Sequence, residues 1–227
     1  MEREALRQHL EQVRAAIREA AGDRPLPRLV AVTKTHPLAD ILPLAEMGVT
    51  DVGENRVQEL REKLPELNKN FRVHLIGRLQ SNKVKYIINE VCLIHSLDRW
   101  SLAQEIDRQA GLHGVRMPVL IQVSPVGEPQ KGGMAPEEVP DFIRAAAKLP
   151  GLDIRGLMAV MPDTQDEALL TRLFTDMRTL FERMRDEAVQ DTRIEELSMG
   201  MSGDFPLAVR CGATMVRVGS AIFGPRS

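Results

Sequence analysis

Two glycine- and serine-rich segments near the end of the chain and one lysine near its start could together do chemistry. The segments cover residues 197–204 and 215–224. Glycine lets backbone N–H groups approach an anion closely, and serine hydroxyls add donors. The candidate phosphate donors are Ser202, Gly203, Gly219 and Ser220. Lys34, after the apolar run 29–33, carries an amine that could form an imine with an aldehyde. The combination predicts a site for a phosphorylated aldehyde.

The order of apolar runs along the chain predicts how these segments are positioned. Helical patterns separate the runs, and a further one opens the chain with Leu6, Leu10, Val13 and Ile17 at helical spacing. The predicted strands cover residues 29–33, 50–52, 72–76, 91–94, 117–123, 152–158, 195–199 and 214–218. Such alternation predicts an α/β fold with a parallel sheet. Eight repeats predict closure into a (β/α)8 TIM barrel, as a single domain over residues 1–227.

An open doubly wound sheet is the structural alternative to the barrel. It is disfavoured because no Gly-x-Gly-x-x-Gly motif follows the first predicted strand. Polar residues also predict helix starts, with Asn55 and Gln58 before a helix that ends at Leu64. Asp98, and Thr164 with Glu167, predict two further starts.

Barrel geometry places Lys34 opposite the two segments. Active sites of this fold lie at the carboxyl ends of the strands, and the loops after strands 7 and 8 frequently bind phosphate. Arg217 lies between Val216 and Val218 in the last strand, and a buried arginine needs a partner. Either a carboxylate elsewhere in the barrel or a ligand heteroatom at its mouth would serve. Toward a pyridine ring, arginine is a permanent donor, so the ring nitrogen would stay unprotonated and the ring would be a weak electron sink.

Several polar residues are expected near strand ends on the same rim of the barrel. They are Asn55, His74, Gln80, Asn82 and Ser96. Asn55 is the best candidate among them, because its amide could meet a ligand hydroxyl. His74 and His95 are expected to be structural.

Composition excludes several classes of protein. The 227 residues are 43% hydrophobic, which is enough for one sizeable core. A net charge of −2 gives no electrostatic case for nucleic acid or a membrane surface as a partner. Cys92 and Cys211 are too few for a disulfide framework, and the histidines show no metal-ligand spacing. Because we find neither a signal segment nor a run of about 20 apolar residues, we expect a cytoplasmic protein.

Six longer segments together carry a resemblance to a known family. They are residues 32–35, 53–59, 74–83, 95–98, 197–204 and 212–219. In these segments the chain resembles the pyridoxal phosphate homeostasis proteins, the YggS-like family, nearly from end to end. The resemblance implies a single alanine-racemase-like barrel that binds pyridoxal 5'-phosphate (PLP) and takes part in vitamin B6 supply. It also implies PLP-dependent apoenzymes as partners, with no firm catalytic activity.

The resemblance also assigns roles to individual residues. Lys34 would form the internal aldimine, and Arg217 would face the pyridine nitrogen. Ser202, Gly219 and Ser220 would hold the phosphate. Asn55, chosen above for its amide and not by the resemblance, is expected to contact the cofactor as well. Two positions depart from the family pattern: His36 stands where many relatives carry a second lysine, and Ser124 where asparagine is common.

Two other functions stay open at this point. The first is an amino-acid racemase of the same fold type with weak activity. True racemases of this type take a tyrosine base from an additional C-terminal domain. We expect that domain to be absent, and the only tyrosine, Tyr86, falls in a predicted helix. The second is an imine-forming aldolase for a sugar phosphate, which would use the same lysine and phosphate loops but no pyridine contact.

Overall fold

Parallel strands close into a barrel in the computed structural model, which describes residues 2–127 and 132–224. The strands follow one another around the barrel in chain order, and the last pairs with the first. They are β1 Arg28–Val32, β2 Asp51–Glu54, β3 Arg72–Leu75, β4 Leu93–Leu97, β5 Met117–Val123, β6 Leu152–Ala159, β7 Glu196–Ser198 and β8 Met215–Val218. The predicted α/β barrel is confirmed, and the open sheet is excluded.

Helices cover the outside of the barrel. They are α1 Arg3–Ala21, α2 Leu38–Ile41, α3 Pro43–Glu46, α4 Val57–Asn70, α5 Trp100–His113, α6 Val139–Ala146, α7 Glu167–Glu187, α8 Phe205–Arg210 and α9 Ser220–Phe223. In the described part of the chain, two short 3-10 helices, Ser81–Tyr86 and Pro136–Glu138, lie between strands. The prediction that α4 ends at Leu64 is wrong: the helix continues through Pro65, because Leu67 extends its buried face.

The hydrophobic core lies between the strands and the helices. The predicted stripe of α1 is buried there, and so is an apolar face of α7 that includes Leu170, Phe174 and Met184. In β8, Val216 and Val218 belong to this outer core. Met215 and Arg217 alternate with them and face the barrel interior, since successive strand residues point to opposite sides. The interior is therefore partly apolar and partly polar.

Three predicted helix caps are wrong. Asn55 is not the cap of α4, because Arg56 occupies that position. Arg99 rather than Asp98 precedes α5, and the Asp98 carboxylate instead accepts a hydrogen bond from Arg99. At α7, Asp166 is the cap and accepts from the backbone N–H of Leu169 at 2.9 Å, two residues after the predicted Thr164.

The predicted bounds of strand 4 are also wrong. The strand covers Leu93–Leu97 rather than residues 91–94, so it includes His95 and Ser96. Part of the long loop predicted at 124–134 lies outside the described residues. Of the described helices, none combines the length and the apolar character that crossing a membrane requires.

Candidate functional site

One cavity at the carboxyl ends of the strands brings together most of the predicted site residues. Its volume is about 270 Å³, close to the lower end of the ~300–1,000 Å³ usual for small-molecule sites. The predicted residues that line it are Lys34, Ser202, Gly203, Arg217, Gly219 and Ser220, and the others are Val32, His36, Met201 and Gly224. Asn55, which follows β2, is not among the lining residues.

The loops after β7 and β8 are joined to each other at this cavity. Ser202 Oγ accepts hydrogen bonds from the backbone N–H groups of Gly219, at 3.0 Å, and Ala221, at 3.3 Å. A Cβ on Gly219 would lie 3.2 Å from the Cβ of Val32, so β8 ends in close approach to β1. This approach places the serine-bearing loops beside the strand that precedes Lys34. The prediction that Lys34 lies opposite them is wrong, because β1 and β8 are neighbours in the closed barrel.

The backbone after Lys34 is held in an unusual conformation. Thr35 has a φ of +68°, a left-handed value that is rare for a β-branched residue. Its backbone N–H donates to Glu59 Oε1 at 2.5 Å. Lys63 Nζ donates to the same carboxylate, to Glu54 Oε1 and to the carbonyl oxygen of Thr33. A charged cluster therefore forms hydrogen bonds with the main chain on both sides of Lys34, at Thr33 and Thr35.

The cluster of Glu54, Glu59 and Lys63 is electrostatically asymmetric. Burial raises the pKa of Glu54 above its usual value, despite the opposing hydrogen bonds from Lys63 and Thr33. Burial also raises that of Glu59, but hydrogen bonds from Lys63 and the Thr35 N–H outweigh it and leave the pKa lowered. Lys63 is thus the cation that opposes the effect of burial on the pKa of Glu54.

Arg217 is 3% exposed and lies at the floor of the cavity. Its Nη1 donates to Ser198 Oγ at 2.6 Å, and its Nη2 donates to the carbonyl oxygen of Ala159 at 2.8 Å. Burial lowers its pKa to about 10, so the group is a cation at neutral pH. Of the two partners expected from the sequence, the described residues supply no carboxylate within ion-pair distance, and the guanidinium lines the ligand cavity instead.

The remaining candidates lie elsewhere or play other parts. His74, His95 and Ser96 are not on the rim but within β3 and β4, and all three are buried. His36 lines the cavity and stacks on Phe223, with ring centroids 4.2 Å apart. Ser124 is buried, and its backbone N–H donates to Met134.

The donor set fits a phosphorylated aldehyde that carries a heteroaromatic ring. Lys34 supplies an amine, and Arg217 supplies a cationic donor for a ring heteroatom. Ser202 and Ser220 supply hydroxyl donors of the kind that bind phosphate, and Gly219 lines the cavity beside them. A Cβ on Gly203 would meet no protein atom within 4 Å, so this part of the cavity wall is open to a ligand.

Comparisons with known proteins find relatives along nearly the whole chain. The alanine racemase N-terminal domain family matches residues 2–227. A pyridoxal phosphate homeostasis protein of Pasteurella multocida is 38% identical over 224 residues, which cover 97% of this chain and 96% of that one. Another, of Deinococcus radiodurans, is 42% identical over 212 residues, covering 93% and 95%. The solved structure of PipY from Synechococcus elongatus with PLP bound has a TM-score of 0.86 and 35% identity, covering 96% and 100%.

The fold and the site define the class: a barrel of the alanine racemase N-terminal domain type with a lysine at the end of its first strand. Within that class, the chain belongs to the pyridoxal phosphate homeostasis protein family. The family expected from the sequence motifs is therefore confirmed.

The sequence did not predict the residues that hydrogen-bond to Arg217 or to the main chain beside Lys34. Glu59 and Lys63 are four residues apart on α4 and form an ion pair. Such a pair usually indicates an exposed helix face, so its spacing gave no signal of burial. Ser198 and His95 carried a weak signal, as polar residues inside apolar strands.

Proposed function

We propose that this chain binds PLP in the cavity around Lys34 and Arg217, and acts in vitamin B6 homeostasis in the cytoplasm. The proposal rests above all on one observation: the amine, the buried cation and the two serine-bearing loops line the same cavity. Its relatives bear the name pyridoxal phosphate homeostasis protein, and PipY was solved with PLP bound. Apoenzymes that require PLP are the expected recipients.

Each lining residue has a distinct part in binding. Lys34 Nζ attaches the aldehyde carbon as an imine, with loss of one water molecule. The Ser202 and Ser220 hydroxyls bind the phosphate beside Gly219, whose N–H donates to Ser202 Oγ and so leaves the Ser202 proton for the phosphate. Arg217 donates to the ring nitrogen. When bound, PLP supplies an electron sink for chemistry at an amino-acid Cα.

We further propose that turnover is slight, for two reasons. A guanidinium has no acceptor and gives up no proton at neutral pH, so it does not protonate the ring nitrogen, and electron withdrawal stays weak. Racemisation also needs a base on each face of the ligand. Tyr86, the only tyrosine, is 40% exposed in the 3-10 helix Ser81–Tyr86 and lies under the Arg61 guanidinium, away from the cavity.

The experiment is reduction of the PLP-saturated protein with borohydride, followed by peptide mass spectrometry. We expect a yellow protein in which PLP is fixed to Lys34. In Lys34→Ala the fixed label should disappear, and PLP should bind at least about tenfold more weakly. Lys148→Ala, which removes an exposed lysine beyond α6, is the matched control and should behave as wild type. A colourless wild-type protein, or label on another lysine, would contradict the assignment.

Turnover is tested separately, with single-enantiomer amino acids in deuterated water. We expect negligible exchange at Cα and no loss of optical activity. Rapid exchange with racemisation would favour the racemase. Imine formation with a sugar phosphate, without PLP binding, would favour the aldolase.

A further inference from the structure

Five buried side chains form a continuous line of hydrogen bonds through the barrel interior. Arg217 Nη1 donates to Ser198 Oγ at 2.6 Å, and that oxygen lies 3.1 Å from His95 Nδ1. His95 Nε2 lies 3.0 Å from His74 Nδ1, and His74 Nε2 lies 2.8 Å from Asp51 Oδ1. Strands β8, β7, β4, β3 and β2 contribute one residue each. The line therefore crosses from the ligand cavity to the start of β2.

The two ends of this line set the direction of its hydrogen bonds. A guanidinium only donates, so Ser198 Oγ accepts from Arg217. Its own hydroxyl proton can then be donated to His95 Nδ1. An ionised carboxylate only accepts, so His74 Nε2 must carry a proton for Asp51. Burial raises the pKa of Asp51, but hydrogen bonds, first among them that from His74, outweigh it and leave the pKa below its usual value.

The two histidines transmit this direction. Burial lowers the pKa of His74, and that of His95 lies well below its usual value for the same reason, so both rings are neutral at neutral pH. A neutral imidazole has one donor and one acceptor. Because His74 donates through Nε2, its Nδ1 accepts, and His95 must donate through its own Nε2. All four hydrogen bonds then run from Arg217 toward Asp51.

We infer that Asp51, His74, His95 and Ser198 are positioning residues for Arg217, and that their one-way hydrogen bonds fix which N–H groups Arg217 presents to the ligand. The inference rests on the proposed function, in which Arg217 faces the ring nitrogen. Ser198 and the Ala159 carbonyl each take one N–H of the guanidinium, so it cannot turn without breaking a buried hydrogen bond.

Asp51 is the residue on which the direction depends, because it is the only member of the line that accepts without donating. Asp51→Asn keeps the shape of the side chain but adds a donor. The bonds between Ser198 and residue 51 can then run in either direction, while Arg217 still donates to Ser198. In the reversed direction His95 donates to Ser198, whose own proton must find another acceptor.

The first arm of the test uses the full chain without added PLP. Ring nitrogen NMR shifts report which nitrogen of a histidine carries the proton. We expect both His74 and His95 to be protonated at Nε2 in wild type, and Asp51→Asn to populate the Nδ1 form of each. The matched control is Glu196→Gln, which removes a carboxylate that binds Arg28 at 3.0 Å at the same end of the barrel but outside the line.

The second arm adds PLP and follows its absorbance band and its affinity. Asp51→Asn and Ser198→Ala should each shift the band and weaken binding about tenfold, as expected for losing one hydrogen bond to a charged group. Glu196→Gln should do neither. Thermal unfolding of each variant separates this effect from a loss of folding.

Two results would overturn the inference. One is a wild-type spectrum in which either histidine is protonated at Nδ1 or at both nitrogens. The other is an unchanged band and affinity in folded Asp51→Asn and Ser198→Ala. If wild type binds no PLP at Lys34, the proposed function fails instead, and the histidine tautomers still report on the line itself.

Discussion

Lys34 depends on neighbours that hold its backbone rather than its amine. Thr33 and Thr35 flank it, and the first accepts from Lys63 while the second donates to Glu59. Left-handed backbone at a β-branched residue costs roughly 1–3 kcal/mol, and it persists only where the surroundings impose it. The charged cluster supplies that constraint, since it fixes the exit of β1 toward the cavity.

Lys63→Met tests the cluster at neutral and acid pH. It leaves Glu54 buried without its cation, so the free energy of unfolding should fall by roughly 3 kcal/mol at neutral pH. The pKa of Glu54 is raised in the folded protein, so the cost of burying its charge is absent below the unfolded value and grows as pH rises through the folded one. Urea unfolding should therefore show a smaller loss at about pH 5 than at about pH 8.

The double variant Glu54→Gln/Lys63→Met is the control for this interpretation. It removes the buried charge together with its partner, so it should be more stable than Lys63→Met alone at about pH 8. Equal losses at both pH values, or no recovery in the double variant, would show that Lys63 acts through packing rather than charge.

At the scale of elements, the sequence predicts some bounds well and others poorly. The predicted bounds of β5 agree with the structure, because its apolar run ends where the strand ends. The predicted bounds of β4 are wrong because the strand continues through two polar residues, His95 and Ser96. A prediction from periodicity assumes that polar residues are exposed. In this barrel, His95 and Ser96 are polar and buried, so the assumption fails.

The same reasoning explains which parts of the site could be predicted. Lys34 and the serine-bearing loops follow strand ends, where the barrel fold itself indicates function. Asp51 begins β2, and nothing local distinguishes it from a surface carboxylate. Its role depends on His74 and His95, which lie on the neighbouring strands β3 and β4, and on Ser198, which reaches His95 from β7 only in the closed barrel. Contacts between distant strands leave no signal in a single sequence.

Substitution by alanine should destabilise the protein at one glycine of the loop after β7 and be tolerated at another. Gly200 has a φ of +92°, and a Cβ there would lie 2.6 Å from the Cβ of Ala208 on α8. Gly200→Ala should therefore lower the free energy of unfolding by at least about 2 kcal/mol. Gly203→Ala meets no atom within 4 Å and should stay within about 0.5 kcal/mol of wild type.

Chemical denaturation of the two variants, side by side, measures this difference. Gly203 serves as the matched control, since it lies three residues further along the same loop. If the two substitutions lower the free energy of unfolding equally, the packing of α8 against Gly200 does not fix the loop.

At the scale of the whole molecule, the first helix supports the last part of the chain. α1 packs against α8 and α9, the helices that directly follow the two serine-bearing loops. His9 Nδ1 lies 3.0 Å from the carbonyl oxygen of Ile222 in α9. The first and last elements therefore share one interface, and the loops of the cavity lie at its edge.

Leu10→Ala should show that this interface supports the site as well as the fold. Leu10 is fully buried in α1, so its truncation should lower the free energy of unfolding by about 2–5 kcal/mol. Because α8 and α9 lose packing behind the loops, PLP should also bind several-fold more weakly. Gln12→Ala, on the exposed face of the same helix, should change neither quantity. Stability and affinity are measured by urea unfolding and PLP titration under conditions where both variants are folded. A destabilised Leu10→Ala protein with wild-type affinity would contradict this. It would mean that α1 stabilises the core, while the hydrogen bonds to Ser202 Oγ suffice to position the two loops.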